Sequence, residues 1–192
     1  MTHKPESDEA MAAIRVSGTV TPLNGQIHLA PYDEAWPERF AAEAARIRTA
    51  LGAAALVVEH VGSTSVPGLC AKPVIDIVLE VERPDDEAAY VPALTAAGYR
   101  LHLREPDWEQ HRVLKGDWPL VNLHVFPAGS RETRRMLAFR DRLRSCPEDF
   151  ALYKSEKERL AGRTWRHVQH YANAKSEVVE AIIARASAAA GG

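Results

Sequence analysis

The chain has 192 residues, 46% of them apolar and 26% charged, with a formal net charge of -2. That length suits one domain able to bury a core, and that balance excludes a broadly basic nucleic-acid binder and a low-hydrophobicity disordered chain. No apolar run approaches the ~18 residues that a membrane span needs, and the acid-bearing N-terminus lacks the apolar stretch of a secretory signal.

In chain order, residues 1–24 are polar, carry Pro5, Gly18 and Pro22, and read as a mostly disordered leader. The domain is expected over residues 25–186, with residues 187–192 a flexible tail. Pro37 opens a helix in which Trp36, Phe40, Ile47 and Leu51 recur at helical spacing, and Gly52 ends it. Ala55–Val61 and Val74–Val81 are β-branched runs that predict strands, and Asp85–Gly98 predicts a helix. Tyr99–Arg104, Arg112–Lys115 and Leu120–Phe126 predict three more strands, the last two joined in a hairpin at Gly116-Asp117. Helices are expected over Arg131–Ser145, Pro147–Ala161 and Trp165–Ala186. The fold class is α/β (α+β): a small mixed β-sheet with flanking helices and a C-terminal helical subdomain.

Cys70 and Cys146 have no CxxC spacing, which argues against a thiolate zinc site and for a reducing compartment, the cytoplasm by default. Cys70 is expected to be a small buried filler. Charge is distributed unevenly: residues 1–130 hold 11 Lys and Arg against 18 Asp and Glu, whereas residues 131–166 hold 11 against 6. Such a basic segment either docks an anion or is a solvated helix face laced with ion pairs.

The densest chemistry lies between Glu59 and Asp76. Gly62 lets the backbone bend and an anion approach closely, and Ser63, Thr64 and Ser65 supply hydroxyl donors. Lys72 adds a point charge. Asp76, between Ile75 and Ile77, points to the face opposite those two side chains, and an acid inside a strand needs a partner or a metal. Glu59 reads as structural, a loop anchor or a partner for Lys72.

HVGSTSVPGL followed by AKPVIDI resembles the GrpB family of the nucleotidyltransferase-like superfamily. LAPYD with Trp36 and Phe40, LAFRD with Leu143 and Arg144, Tyr153 with Lys157, and Tyr171 with Lys175 extend the likeness over about residues 26–186. The resemblance implies a Gly-Ser turn that holds the phosphates of a nucleotide and a strand carboxylate, Asp76, that holds a divalent metal (Mg²⁺ or Mn²⁺, or Zn²⁺) for phosphoryl transfer. It further implies Arg140, Lys157 and Lys175 as phosphate clamps from the helical side. The chain departs from the active pattern of the superfamily. Val78 stands where a second carboxylate is expected, and Glu80 is about 13 Å along the strand from Asp76, too far to share a metal pair. The third carboxylate's strand offers Asn122 and His124.

His124 could replace that carboxylate, and convergence of His60, Asp76 and His124 would make a site for one ion. For His60 the plainer reading is a hydrogen-bonded core histidine. His167, Tyr171 and Lys175 make a polar stripe expected to face solvent or the cleft. The expected function is binding of a nucleotide or another phosphorylated small molecule, with metal-dependent nucleotidyl or phosphoryl transfer from a reduced carboxylate set. The alternative is an interaction or helper domain with a vestigial cleft. No membrane partner and no strong nucleic-acid signal are expected.

Overall fold

A computed structural model describes residues 7–16 and 19–190. Helices α1 (Asp8–Ala13) and α2 (Trp36–Leu51) lead into strand β1 (Val57–Val61), then β2 (Ile75–Val81), helix α3 (Val91–Ala96) and strands β3 (Tyr99–Glu105), β4 (His111–Asp117) and β5 (Leu120–Pro127). Four helices close the chain: α4 (Arg131–Ser145), α5 (Pro147–Ala161), α6 (Val168–Ala174) and α7 (Ser176–Ala190). The sheet order is β1-β2-β5-β4-β3, with β2 and β5 parallel and the other neighbours antiparallel. The expected mixed α/β class is what the chain adopts.

The two-residue period of β2 divides the molecule. Ile75, Ile77 and Leu79 face one way and pack with Trp36, Ala44 and Ile47 of α2 and Leu94 of α3 in the main core. Asp76, Val78 and Glu80 face the other way, where Val78 joins Val61 and Phe126 under Met136 and Leu137 of α4. Glu80 is buried because it accepts from the N–H groups of Gly129 and Ser130 at 2.9 and 3.1 Å, anchoring the chain into α4. The Ser130 side chain caps α4 by accepting from Thr133 N.

Five expectations change. Residues 7–16 of the supposed disordered leader form α1, with Met11 buried, and a bridge from Arg15 to Leu103 at the β3 edge. Leader residues 1–6, 17 and 18, and tail residues 191–192, lie outside the described residues, and α7 carries the helix through the expected tail to Ala190. The hairpin turns at Trp118-Pro119, a cis bond; Gly116 and Asp117 remain in β4, paired with Val121 and Leu120. The Asp85–Gly98 segment is a 3₁₀ turn plus the short α3, and the long C-terminal helix breaks at Lys175. Propensity misses such breaks because tertiary contacts decide them.

Candidate phosphate site

β1 and β2 are antiparallel neighbours, and their register sets Val61 opposite Asp76. Gly62, the next residue, has φ 69°, a left-handed conformation that favours glycine. A Cβ here would lie 2.4 Å from Asp76 Oδ2 and 2.9 Å from its Cβ. Glycine is therefore required both by backbone angle and by the carboxylate tucked beneath it.

Asp76 Oδ1 accepts from Asn122 Nδ2 at 2.8 Å and lies 3.9 Å from His124 Nε2. Burial pushes the carboxyl pKa up, but His124, Asn122 and Lys72 outweigh it, so the net shift is downward and Asp76 is held ionised. Behind His124 runs a buried chain. Its Nδ1 meets His111 Nε2 at 3.1 Å, and His111 Nδ1 meets Glu105 Oε2 at 2.7 Å. Burial drives His111 to a pKa of about 4, so its ring is neutral. A neutral His111 donates from Nδ1 to the carboxylate and accepts at Nε2, which assigns the Nδ1 proton of His124 to that bond.

With its proton displaced, His124 Nε2 could share one ion with Asp76 Oδ1, 3.9 Å away. Among the described residues no three of His, Cys, Asp and Glu gather to hold a metal. The protein would thus supply one carboxylate and one imidazole, a set that suits Mn²⁺ or Zn²⁺ better than Mg²⁺, with phosphates and water completing the shell.

His60 does not join this pair. It pairs with Ile77 across the strands, so it faces the main core, where it stacks on Phe40 with centroids 4.7 Å apart. Its Nε2 lies 3.1 Å from the Thr64 hydroxyl, and burial lowers its pKa to about 4. The core-histidine reading describes it.

Beside Asp76 a pocket of about 190 Å³ is lined by Ser63, Thr64, Lys72, Asn122, Lys157, Tyr171 and Lys175, among others. Ser63 also bonds the Tyr153 hydroxyl. Lys157 is only 2% exposed, donates to the Cys70 carbonyl at 2.5 Å, and its pKa falls to about 7 through burial, with Lys175 adding to the shift. Burial also lowers Lys175 to about 8, and lowers Lys72. Lys175 Nζ sits 4.2 Å from the Tyr171 ring centre. None of the three lysines has an ion-pair partner within 4.0 Å among the described residues, and the buried Tyr171 hydroxyl has no hydrogen-bond partner there.

Other expected phosphate ligands are engaged elsewhere. The Ser65 hydroxyl donates to Gly62 O at 2.6 Å and closes its turn, and the Thr64 hydroxyl donates to Val74 O at 3.1 Å. Arg140 is bound to Glu59 and Asp141, each at 2.8 Å, and to His60 O, so Glu59 is structural but its partner is not Lys72. The arginines of the basic segment mostly follow suit: Arg135 pairs with Glu180, Arg142 with Asp149 and Arg159 with Glu156. That part of the charge asymmetry is an ion-pair-laced helix face. Cys70 is half-buried and in no disulfide, and its thiol donates to Glu158 Oε1 at 3.8 Å. Of the polar stripe, His167 and Tyr171 are buried, yet Tyr171 and Lys175 line the lysine pocket and His167 lines the cavity beside it, so the stripe faces the cleft. Glu105 and His111 escaped the sequence reading because no spacing rule links them to Asp76; only the side-by-side pairing of β3, β4, β5 and β2 does.

Comparison with known proteins places this geometry in a family. The GrpB protein profile matches residues 26–185. The chain is 53% identical over 184 residues to the UPF0157 protein BH1888 of Halalkalibacterium halodurans, covering 96% of this chain and 94% of that one. It is 44% identical over 164 residues to the UPF0157 protein SCO7215 of Streptomyces coelicolor, covering 85% and 86%. Among solved structures, the conserved protein GrpB from Enterococcus faecalis superposes with a TM-score of 0.71 at 30% identity, over 83% of this chain and 96% of that chain. The chain belongs to the GrpB family.

Proposed function

We propose that the cleft binds the phosphates of a nucleotide or related phosphorylated small molecule, together with one divalent ion on Asp76 and His124. The observation that carries this reading is the convergence of Lys72, Lys157 and Lys175 with Ser63 on one small pocket beside a single carboxylate. Three cations held without anionic partners are destabilising in the empty protein, and a bound phosphate offsets that penalty. A cleft with no ligand would gain from apolar residues at these positions, which counts against a purely vestigial one.

Efficient two-metal transfer is not part of the proposal. Val78 is fully buried between Val61 and Phe126, and Asn122 offers Asp76 an amide donor in place of a further carboxylate. The protein therefore binds a metal–phosphate ligand, with turnover on ordinary acceptors near background. A thermal-shift panel of nucleotides, pyrophosphate and tripolyphosphate, with and without Mg²⁺, Mn²⁺ and Zn²⁺, tests it. A ligand at 100 times its Kd adds ~2.7 kcal/mol, a Tm rise of roughly 5–11 °C for a chain of this size. A panel in which no phosphate compound raises Tm, with or without metal, rejects the reading.

A further inference from the structure

We propose that residues 7–16 roof a second compartment of this cleft, and that it receives the nucleoside head of a ligand whose phosphates lie on Lys72, Lys157 and Lys175; the proposal rests on the phosphate reading above. The compartment is a cavity of about 640 Å³ that shares Lys72, Asp76 and Asn122 with the lysine pocket, so a single ligand can span both. Its volume falls within the roughly 300–1,000 Å³ of small-molecule sites. Met11 and Ile14 of the N-terminal arm, Leu103 of β3, and Met136 and Phe139 of α4 give it apolar walls. Arg15, Lys115 and Gln169 add side-chain N–H donors. Apolar walls that include one aromatic ring, with a few donors beside them, suit a heterocyclic base with carbonyl and ring-nitrogen acceptors.

The arm is built into place. Val16 N donates to His102 O at 2.9 Å and Arg104 N donates to Ile14 O at 2.8 Å, extending the sheet at its β3 edge. At the other end Asp8 pairs with Arg166 and, at 2.8 Å, with His167. Arg15 reaches His102 Nε2 through Nη1 at 3.2 Å, while its Nε is shut from solvent without a hydrogen-bond partner among the described residues. These residues precede the span 26–185 of the family match.

The test compares binding of the four common ribonucleoside triphosphates with inorganic tripolyphosphate, all with Mg²⁺, by calorimetry on the full chain. Three proteins are needed: wild type, Met11→Asp, which puts a charge where a buried methionine packs, and Val168→Trp, which fills the cavity from a position 40% exposed and so spares the fold. In wild type at least one nucleoside triphosphate should bind roughly tenfold or more tightly than tripolyphosphate, and both variants should reduce that advantage to less than about threefold while tripolyphosphate affinity holds. Equal affinity of all five compounds in wild type, or an advantage that survives Val168→Trp, overturns the roofed compartment and leaves the phosphate reading standing. If none of the five binds, the phosphate reading itself fails.

Discussion

Lys157 offers the sharpest test of the lysine pocket, because a side chain kept for a ligand should harm the empty protein. Its pKa of about 7, against 10.5 for a free lysine, means that folding disfavours its charge. At 1.36 kcal/mol for each pKa unit, 3.5 units correspond to about 5 kcal/mol when the lysine is charged in both states. The sign follows from proton counts. Between pH 7 and 10.5 the unfolded chain holds a proton on this amine that the folded chain has released, so stability rises with pH across that window. Below pH 7 the full penalty applies; above 10.5 it vanishes. Lys157→Met removes the charge with little change in volume, but orphans the Cys70 carbonyl that accepts from Nζ, at a cost of about 1–3 kcal/mol. At pH 6 the variant should thus be more stable than wild type by roughly 2–4 kcal/mol, a Tm gain of about 5–15 °C. At pH 10.5 the order should reverse. Tripolyphosphate should stabilise wild type and leave the variant unmoved. Urea melts at the two pH values, with and without tripolyphosphate, measure all of this. A Lys157→Met protein less stable than wild type at pH 6 would show that the amine is a structural strut, and the reasoning from an unmatched buried cation would be wrong.

Gly62→Ala should lose at least about 2–3 kcal/mol of stability, read by thermal melting, because a methyl group at φ 69° also collides with the Asp76 carboxylate. Asp76→Asn should bind metal-free tripolyphosphate more tightly than wild type, since a negative charge beside the phosphates is gone, and should lose any gain in affinity on adding Mn²⁺; an unchanged Mn²⁺ effect in calorimetry would remove Asp76 from the metal. His60 and His111, both with pKa lowered to about 4, are neutral in the fold while the unfolded chain takes up protons from pH 6.5 downward, so stability should fall as pH drops from 6.5 towards 4. His60→Gln should flatten that slope in urea melts, and an identical slope would deny its neutrality in the core.

The elements legible in the sequence were those whose signal is local. The β-branched runs before Gly62 and around Asp76 became β1 and β2, and Arg131–Ser145 and Pro147–Ala161 became α4 and α5. Pro147 marks one of those boundaries by itself, since it fits only the first turn of a helix. The Gly-Ser-to-Asp spacing located the turn and the carboxylate because strand pairing turns a fixed spacing into a fixed contact. What stayed hidden depends on which partner a side chain meets. Arg140 and Lys157 look alike as basic residues on C-terminal helices, yet Arg140 has Glu59 and Asp141 within reach and Lys157 has a carbonyl and the Tyr153 ring. Ser63 and Ser65 are equivalent hydroxyls in the string, but a 3₁₀ turn points Ser65 back at Gly62 O. Residues 7–16 do carry a local helix signal, with Ser7 as cap, Asp8 and Glu9 in the first turn and Ala10, Met11, Ala12, Ala13, Ile14 and Val16 apolar, but the polar residues around them mask it, and α1 is held by the β3 edge and by Arg166 and His167.

The charges of the cleft also bear on why its carboxylate set is small. In a two-metal site, several acids hold two dications, and the dications neutralise the phosphates. Here one acid, Asp76, faces Lys72, Lys157 and Lys175, so neutralisation is supplied directly by ammonium groups. On the proposed reading this explains Val78 and Asn122 together. A second carboxylate beside Asp76 would pair with the lysines in the empty protein and compete with the phosphates for them. Lysines neutralise a bound anion well but do not lower the pKa of an attacking hydroxyl as a metal does. An arrangement rich in ammonium groups and poor in metal ligands thus favours holding a phosphate over transferring it.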